Sequence, residues 1–242
     1  MANASIDFMA IGAHPDDIEL GCGGTILRLA SQGKTGVVVD LTDASMGTRG
    51  TPEIRSQEAK AAAKLLKVKR FNLGLPDGKL ENNFDAQKKL IGLIREFKPK
   101  VLITHHWQEE HPDHEVTAQI VKEACYKSGL AKLDFEGEAF RPGRIFHFIG
   151  HELHEPKFCV DITEYFEKKL LLIRMYKSQF FNPDAKNFSG KTDLSTPAFL
   201  EVLTARNRYW GIRIKRRYAE AFVCSELPEV NDITALGGSR FL

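Results

Sequence analysis

The 242-residue chain has only four cysteines, Cys22, Cys125, Cys159 and Cys224, far apart and with no C-x-x-C. That spacing argues against a disulfide framework and a cysteine zinc knuckle, and suits a reducing compartment. Long apolar runs are missing as well. Nowhere do 18 uncharged apolar residues follow one another, so no membrane-spanning helix is expected. "MANASIDFMAIGAH" lacks the basic start and long apolar stretch of a signal peptide, so a cytoplasmic location is the expectation. Charge of one sign is not in excess either. Lys and Arg number 34 against 32 Asp and Glu, a formal net charge of +2, too small to draw the whole chain to nucleic acid. No internal repeat or low-complexity tract interrupts the sequence.

What is present is an alternation of short apolar runs and amphipathic stretches. "IDFMAIGA", "GVVVDLT", "RFNLGLP" and "KVLITHH" read as strands. Between and after them lie helical patterns. "GGTILRLASQG" has helical spacing with Gly33 as a stop. "TPEIRSQEAKAAAKLLKV" opens on Thr51 as N-cap with Pro52 in the first turn, and "NFDAQKKLIGLIREFKP" and "HEVTAQIVKEACYKSG" follow. This βα order predicts an α/β, Rossmann-like fold with a mostly parallel sheet and helices on both faces. After residue 130 the chain continues with strand-like "RIFHFIG", "KFCVDIT" and "YAEAFVCSE" and helix-like "EYFEKKLLLIRMYKSQF" and "FLEVLTARNRYWGIRI". No linker separates these from the rest, so residues 1–242 are expected to form a single domain.

Two clusters carry the chemistry. "IGAHPDDIELGCGGT" leaves the first strand straight into His14, Asp16, Asp17 and Glu19. "THHWQEEHPDHE" leaves the fourth strand with His111, Asp113 and His114. In a doubly wound sheet of the commonest order, strands 1 and 4 are neighbours at the topological switch point, where ligands bind beyond the strand ends. The two clusters are therefore expected to face each other across one crevice. Histidine nitrogen and aspartate oxygen are ordinary Zn²⁺ ligands, and a catalytic site has three protein ligands plus an open position. Taken singly, "HPD" is also a common helix start in which the aspartate caps amides. The recurrence of "HPDD" and "HPDH" at two strand ends favours the metal.

Other features rank lower. His105 and His106 are adjacent at a strand end, so at most one faces the crevice. "GHELHE" holds His151 and His154 as H-E-x-H, not the zincin H-E-x-x-H, and is expected at the surface or behind the ligands. Cys22 is expected to pack the first helix. "GCGGT" is not a dinucleotide fingerprint, because carboxylates fill the turn where a pyrophosphate would sit. Its glycines are expected to bring the first helix close to the sheet. The basic run 206–217 is expected on a solvated face or as an attractor of an anionic substrate.

"AHPDDIELGCGGTI" together with "HPDH" resembles the LmbE-like, or PIG-L, family of zinc-dependent N-acetylglucosaminide deacetylases. "GTRGTPEIRSQEA", "LGLPDG", "FCVDIT", "RYWG" and "YAEAF" resemble its bacillithiol-biosynthesis branch. The resemblance implies hydrolysis of N-acetylglucosaminyl malate to acetate and a free glucosamine amine. Position by position, it implies His14, Asp17 and His114 as ligands of one Zn²⁺ per chain, with Fe²⁺ or Co²⁺ as alternatives. It implies Asp16 as general base, His111 as oxyanion stabiliser and acid for the leaving amine, and Asp113 as the residue that orients His111. It associates Arg55, expected near the crevice rim, and Asp77 with substrate binding, and Tyr209 with a mobile position over the site. The small-molecule substrate would be the chief partner, in a homo-oligomer, commonly a hexamer. The two histidines upstream of "HPDH", His105 and His106, depart from the pattern.

Overall fold

The computed structural model describes residues 5–182 and 190–236. Its strands are β1 (Phe8–Gly12), β2 (Gly36–Thr42), β3 (Lys69–Leu75), β4 (Val101–His105), β5 (Arg144–Phe148), β6 (Phe158–Asp161) and β7 (Ala219–Val223). Its α-helices are α1 (Asp17–Ser31), α2 (Pro52–Leu66), α3 (Phe84–Phe97), α4 (Pro112–Ser128), α5 (Phe166–Arg174) and α6 (Pro197–Arg213). The strands form one sheet in the order β3-β2-β1-β4-β5-β7-β6. β1 pairs in parallel with both β2 and β4, so the predicted neighbours at the switch point are neighbours. The last strand inserts antiparallel between β5 and β6, which makes the sheet mostly rather than wholly parallel.

Side-chain alternation divides the core between the two faces. Phe8, Ala10 and Val38 pack under Ile18, Ile26, Leu66 and Leu172 of α1, α2 and α5. Met9, Ile11 and Val39 pack under Leu90, Ile94, Ile120 and Val121 of α3 and α4. Local signals start the helices where expected: Thr51 accepts the Ile54 amide, and Asn83 accepts the Ala86 amide at 3.0 Å. Among the described residues no helix is long and apolar enough to cross a membrane.

Two elements differ from the sequence expectation. α5 is shorter, because a single 3₁₀ turn at Thr163–Tyr165 precedes it and the helix ends at Arg174. α1 begins at Asp17 rather than at the glycines, so the acidic cluster occupies its first turn. The glycines fall where the helix is kinked, at Cys22 (φ −141°, ψ 18°). A Cβ at Gly21 would overlap the Phe148 ring, and one at Gly24 would lie 2.8 Å from Ile162. The kink frees two amides, and the Glu220 carboxylate accepts both, from Gly24 at 2.9 Å and Thr25 at 2.6 Å. Lys169, wholly buried, pairs with Glu220 at 2.5 Å and donates to the Leu20 carbonyl at 2.9 Å.

Candidate functional site

The chain leaves β1 through a tight turn. The Asp17 carboxylate accepts the His14 amide at 2.7 Å, and between them Asp16 adopts φ 113°, ψ −25°. A non-glycine residue there stores on the order of 1–3 kcal/mol of strain and persists only where its surroundings hold it. Arg55 from α2 holds it: the guanidinium donates to the Pro15 carbonyl and pairs with Asp16 at 3.1 Å. Both side chains are buried. Burial, against the pull of Arg55, pushes the Asp16 carboxyl up to about 7.

The second cluster arrives from the next strand. β4 ends at His105, and α4 begins with His111 as N-cap, whose Nδ1 accepts the Asp113 amide at 3.2 Å. Pro112 opens the helix, and His114 lies on its first turn. Asp17 is the meeting point. Its carboxylate lies 3.3 Å from His114 Nε2, 3.0 Å from His105 Nε2 and 3.5 Å from His14 Nδ1. Burial alone would raise Asp17, but His114 and His105 hold its carboxyl well below the usual range. Burial lowers His114 to about 4, with His105 adding to the effect. It would lower His14 too, but hydrogen bonds to Asp113, Asp17 and Asp77 raise that ring well above its ordinary value.

One ligand atom each from His14, Asp17 and His114 lies within 4.8 Å of the others, a spacing and donor set that fit one divalent cation. The Nδ1 atoms of His105 and His114 are buried without a partner, and buried polar atoms rarely stay so.

Other residues expected at the site stand in different relations to it. The Asp77 carboxylate lies 3.1 Å from His14 Nε2 and accepts the Met46 amide at 2.6 Å, so its oxygens are engaged in holding a ring. The Asp113 carboxylate was expected on His111. It lies instead 3.3 Å from His14 Nε2 and accepts the Gly78 amide at 2.9 Å, and only its backbone reaches His111. Arg55 was expected at the rim, but it is only 4% exposed and engaged beneath Asp16, because its helix packs under the β1 turn. Tyr209, 47% exposed on α6, lines an apolar groove of about 400 Å³ together with His151.

Sequence reasoning left His105 undecided and missed Glu109. Strand alternation turns His105 inward and His106 away, where His106 stacks on His154 at 3.8 Å. Glu109 is buried, accepts the amides of Gly150 and His151, and lies 3.4 Å from His151 Nδ1. No sequence signal marks it. Behind the turn, Arg70 binds Asp40 through two 2.7 Å bonds and reaches Glu19 at 2.5 Å; of these only Glu19 stood in the acidic cluster read from the sequence.

The family model of PIG-L, GlcNAc-PI de-N-acetylase, matches residues 9–125, a stretch that contains both clusters. Diacetylchitobiose deacetylase of Thermococcus kodakarensis is 34% identical over 187 residues, covering 71% of this chain and 69% of its own. A probable N-acetyl-alpha-D-glucosaminyl L-malate deacetylase 2 of Bacillus anthracis is 28% identical over 187 residues, covering 69% of this chain and 78% of its own. The crystal structure of a conserved protein from Thermus thermophilus superposes with a TM-score of 0.84 at 33% identity, covering 93% of this chain and 97% of that one.

Proposed function

The chain belongs to the PIG-L family of de-N-acetylases, and we propose that it hydrolyses the acetamide of an N-acetylglucosaminide with a divalent metal held by His14, Asp17 and His114. The observation that carries this reading is the convergence of those three donors beside Asp16, a buried carboxyl that is not one of them. Bound there, a divalent cation would supply Lewis acidity to a water and to the acetyl carbonyl.

The chain's own residues supply the rest. Asp16 accepts the proton of the attacking water and returns it to the nitrogen that leaves. Its strained backbone and the Arg55 pair fix where that carboxylate points. His111 Nδ1 accepts the Asp113 amide, so the neutral ring carries its proton on Nε2. It serves as a hydrogen-bond donor to the oxygen that gains charge. Burial lowers His111 below its ordinary value. Asp77 and Asp113 hold His14 from the side opposite Asp17.

The finer substrate is N-acetylglucosaminyl malate, supported by the sequence motifs and by the name of the Bacillus anthracis relative. Arg55 is engaged by Asp16, so this reading gives the malate carboxylate another partner. A hexameric assembly belongs to the same proposal, and the native mass tests it. For the activity, zinc-loaded protein is incubated with N-acetylglucosaminyl malate, diacetylchitobiose and methyl N-acetylglucosaminide, and free amine is measured. Amine from the malate compound first supports the finer reading. Amine from the others alone keeps the deacetylase and removes malate. Amine from none overturns the reading.

A further inference from the structure

Beside the donor cluster the structure holds a cavity of about 40 Å³, bounded by Asp17, His105 and His114 on one side and by Leu20, Gly21 and Phe148 on another. In this measure a water needs about 10–15 Å³, so the cavity takes a row of about three heavy atoms. That is the size of an acetyl group and far below that of a sugar ring. Its shape is enforced from behind, since the Phe148 ring lies where any Cβ at Gly21 would have to go.

The cavity shares part of its wall with a second space. Phe199, His151 and Arg206 wall it and also wall the groove of about 400 Å³ on the outer side of α6. That groove is apolar, lined by Leu153, Val202, Leu203 and Tyr209. Leu153 and Val202 are each 65% exposed, a cost in apolar surface that a groove with an occupant explains. The charges in the shared wall are turned aside. Arg206 donates to the carbonyls of Gly150 and Leu20, and His151 faces Glu109. What the wall presents to the groove is the Phe199 ring and the arginine stem.

Resting on the deacylase reading above, we propose that the site also hydrolyses longer linear N-acyl groups on glucosamine, the acyl chain running from the small cavity past Phe199 into the α6 groove. A cavity of that size leading to an apolar groove would select an unbranched hydrocarbon and exclude a ring. The sugar then lies on the His14 and His111 side, where His111 is exposed. The chemistry is unchanged. Water adds to the acyl carbon, the carbon–nitrogen bond breaks, the nitrogen gains one proton and the acyl group leaves as a carboxylate.

The test uses the full-length zinc-loaded protein and methyl glucosaminides bearing N-acetyl, N-butyryl, N-hexanoyl and N-octanoyl groups, with amine release as readout. Each methylene beyond butyryl is expected to raise kcat/KM about two- to fourfold, the upper factor corresponding to about 0.8 kcal/mol per buried CH₂. In Val202→Asp the ratio of octanoyl to acetyl kcat/KM is expected to fall at least tenfold. Cleavage of the acetyl compound with a loss of more than a hundredfold at butyryl and beyond overturns the proposal and leaves the deacetylase standing. So does an unchanged ratio in Val202→Asp, or a Val202→Asp protein whose only change is a smaller native mass, which would assign the groove to a second copy. Amine from no compound overturns the proposal and the reading beneath it together.

Discussion

Two groups of buried charges meet α1 within about two turns of each other, and they are built in opposite ways. At the kink, Glu220 receives two backbone amides and Lys169, and Lys169 spends a second bond on a carbonyl. At the first turn, Asp17 gathers three histidines, two buried ring nitrogens have no partner, and Asp16 sits in a strained conformation paired with Arg55. The first group is completed by the chain itself and fixes the path of the helix. The second instead gathers His14, Asp17 and His114 at a spacing that fits a cation, as a binding centre does. Removing a member of the first should therefore cost stability, and removing a member of the second should cost activity.

The sharpest break on the active side is Asp16→Asn. It keeps size and removes the proton acceptor, so kcat should fall about 10²–10⁴-fold with metal content unchanged. Steady-state kinetics beside metal analysis checks this. Loss of metal to the same degree as in Asp17→Asn would exchange the two aspartates. On the structural side, Glu220→Ala leaves Lys169 buried and unpaired and should destabilise the fold by about 3–5 kcal/mol in denaturant titration. Lys169→Met combined with Glu220→Leu should recover part of that loss, which a catalytic role would not permit.

How much of this contrast could be read in the sequence depends on how local each feature is. The order of strands and helices, the neighbouring of β1 and β4, and the residue types at their ends follow from periodicity and one topological rule. The meeting of His14, Asp17 and His114 in space is what that rule predicts. Side-chain partners supplied by distant elements were not legible. Nothing near Arg55 announces that the β1 turn will cover it. Nothing near Asp113 says that its carboxylate will face His14 across 99 residues rather than His111 two residues away. The Lys169–Glu220 pair was equally hidden, because its partners, the amides of a kinked helix, exist only once the kink forms.

A smaller effect separates the two sides by pH. His147 is buried, donates to the His105 carbonyl at 2.6 Å, and has its pKa lowered by burial from 6.5 to about 4. Between those values the unfolded chain binds a proton that the folded one refuses, so stability falls as pH drops from about 6.5 toward 4. His147→Gln should flatten that slope, a difference of at most about 3 kcal/mol, measured by denaturant titration across the range. The smallest effect expected is that of Arg55→Lys. Lysine keeps the charge but cannot bond Asp16 and the Pro15 carbonyl in the same geometry. A fall in kcat of about tenfold with KM within about twofold marks a positioning role, whereas a rise in KM alone would return Arg55 to substrate binding.

The central claim, that the second group is a metal-dependent hydrolytic centre, is tested most directly by stripping the protein with a chelator and titrating zinc back while following amine release from an N-acetylglucosaminide. Activity should be absent in the stripped protein and rise to a plateau at one equivalent per chain, while His114→Ala stays flat through the same titration. Full activity in the stripped protein, or a His114→Ala protein that follows the wild-type curve, would contradict it.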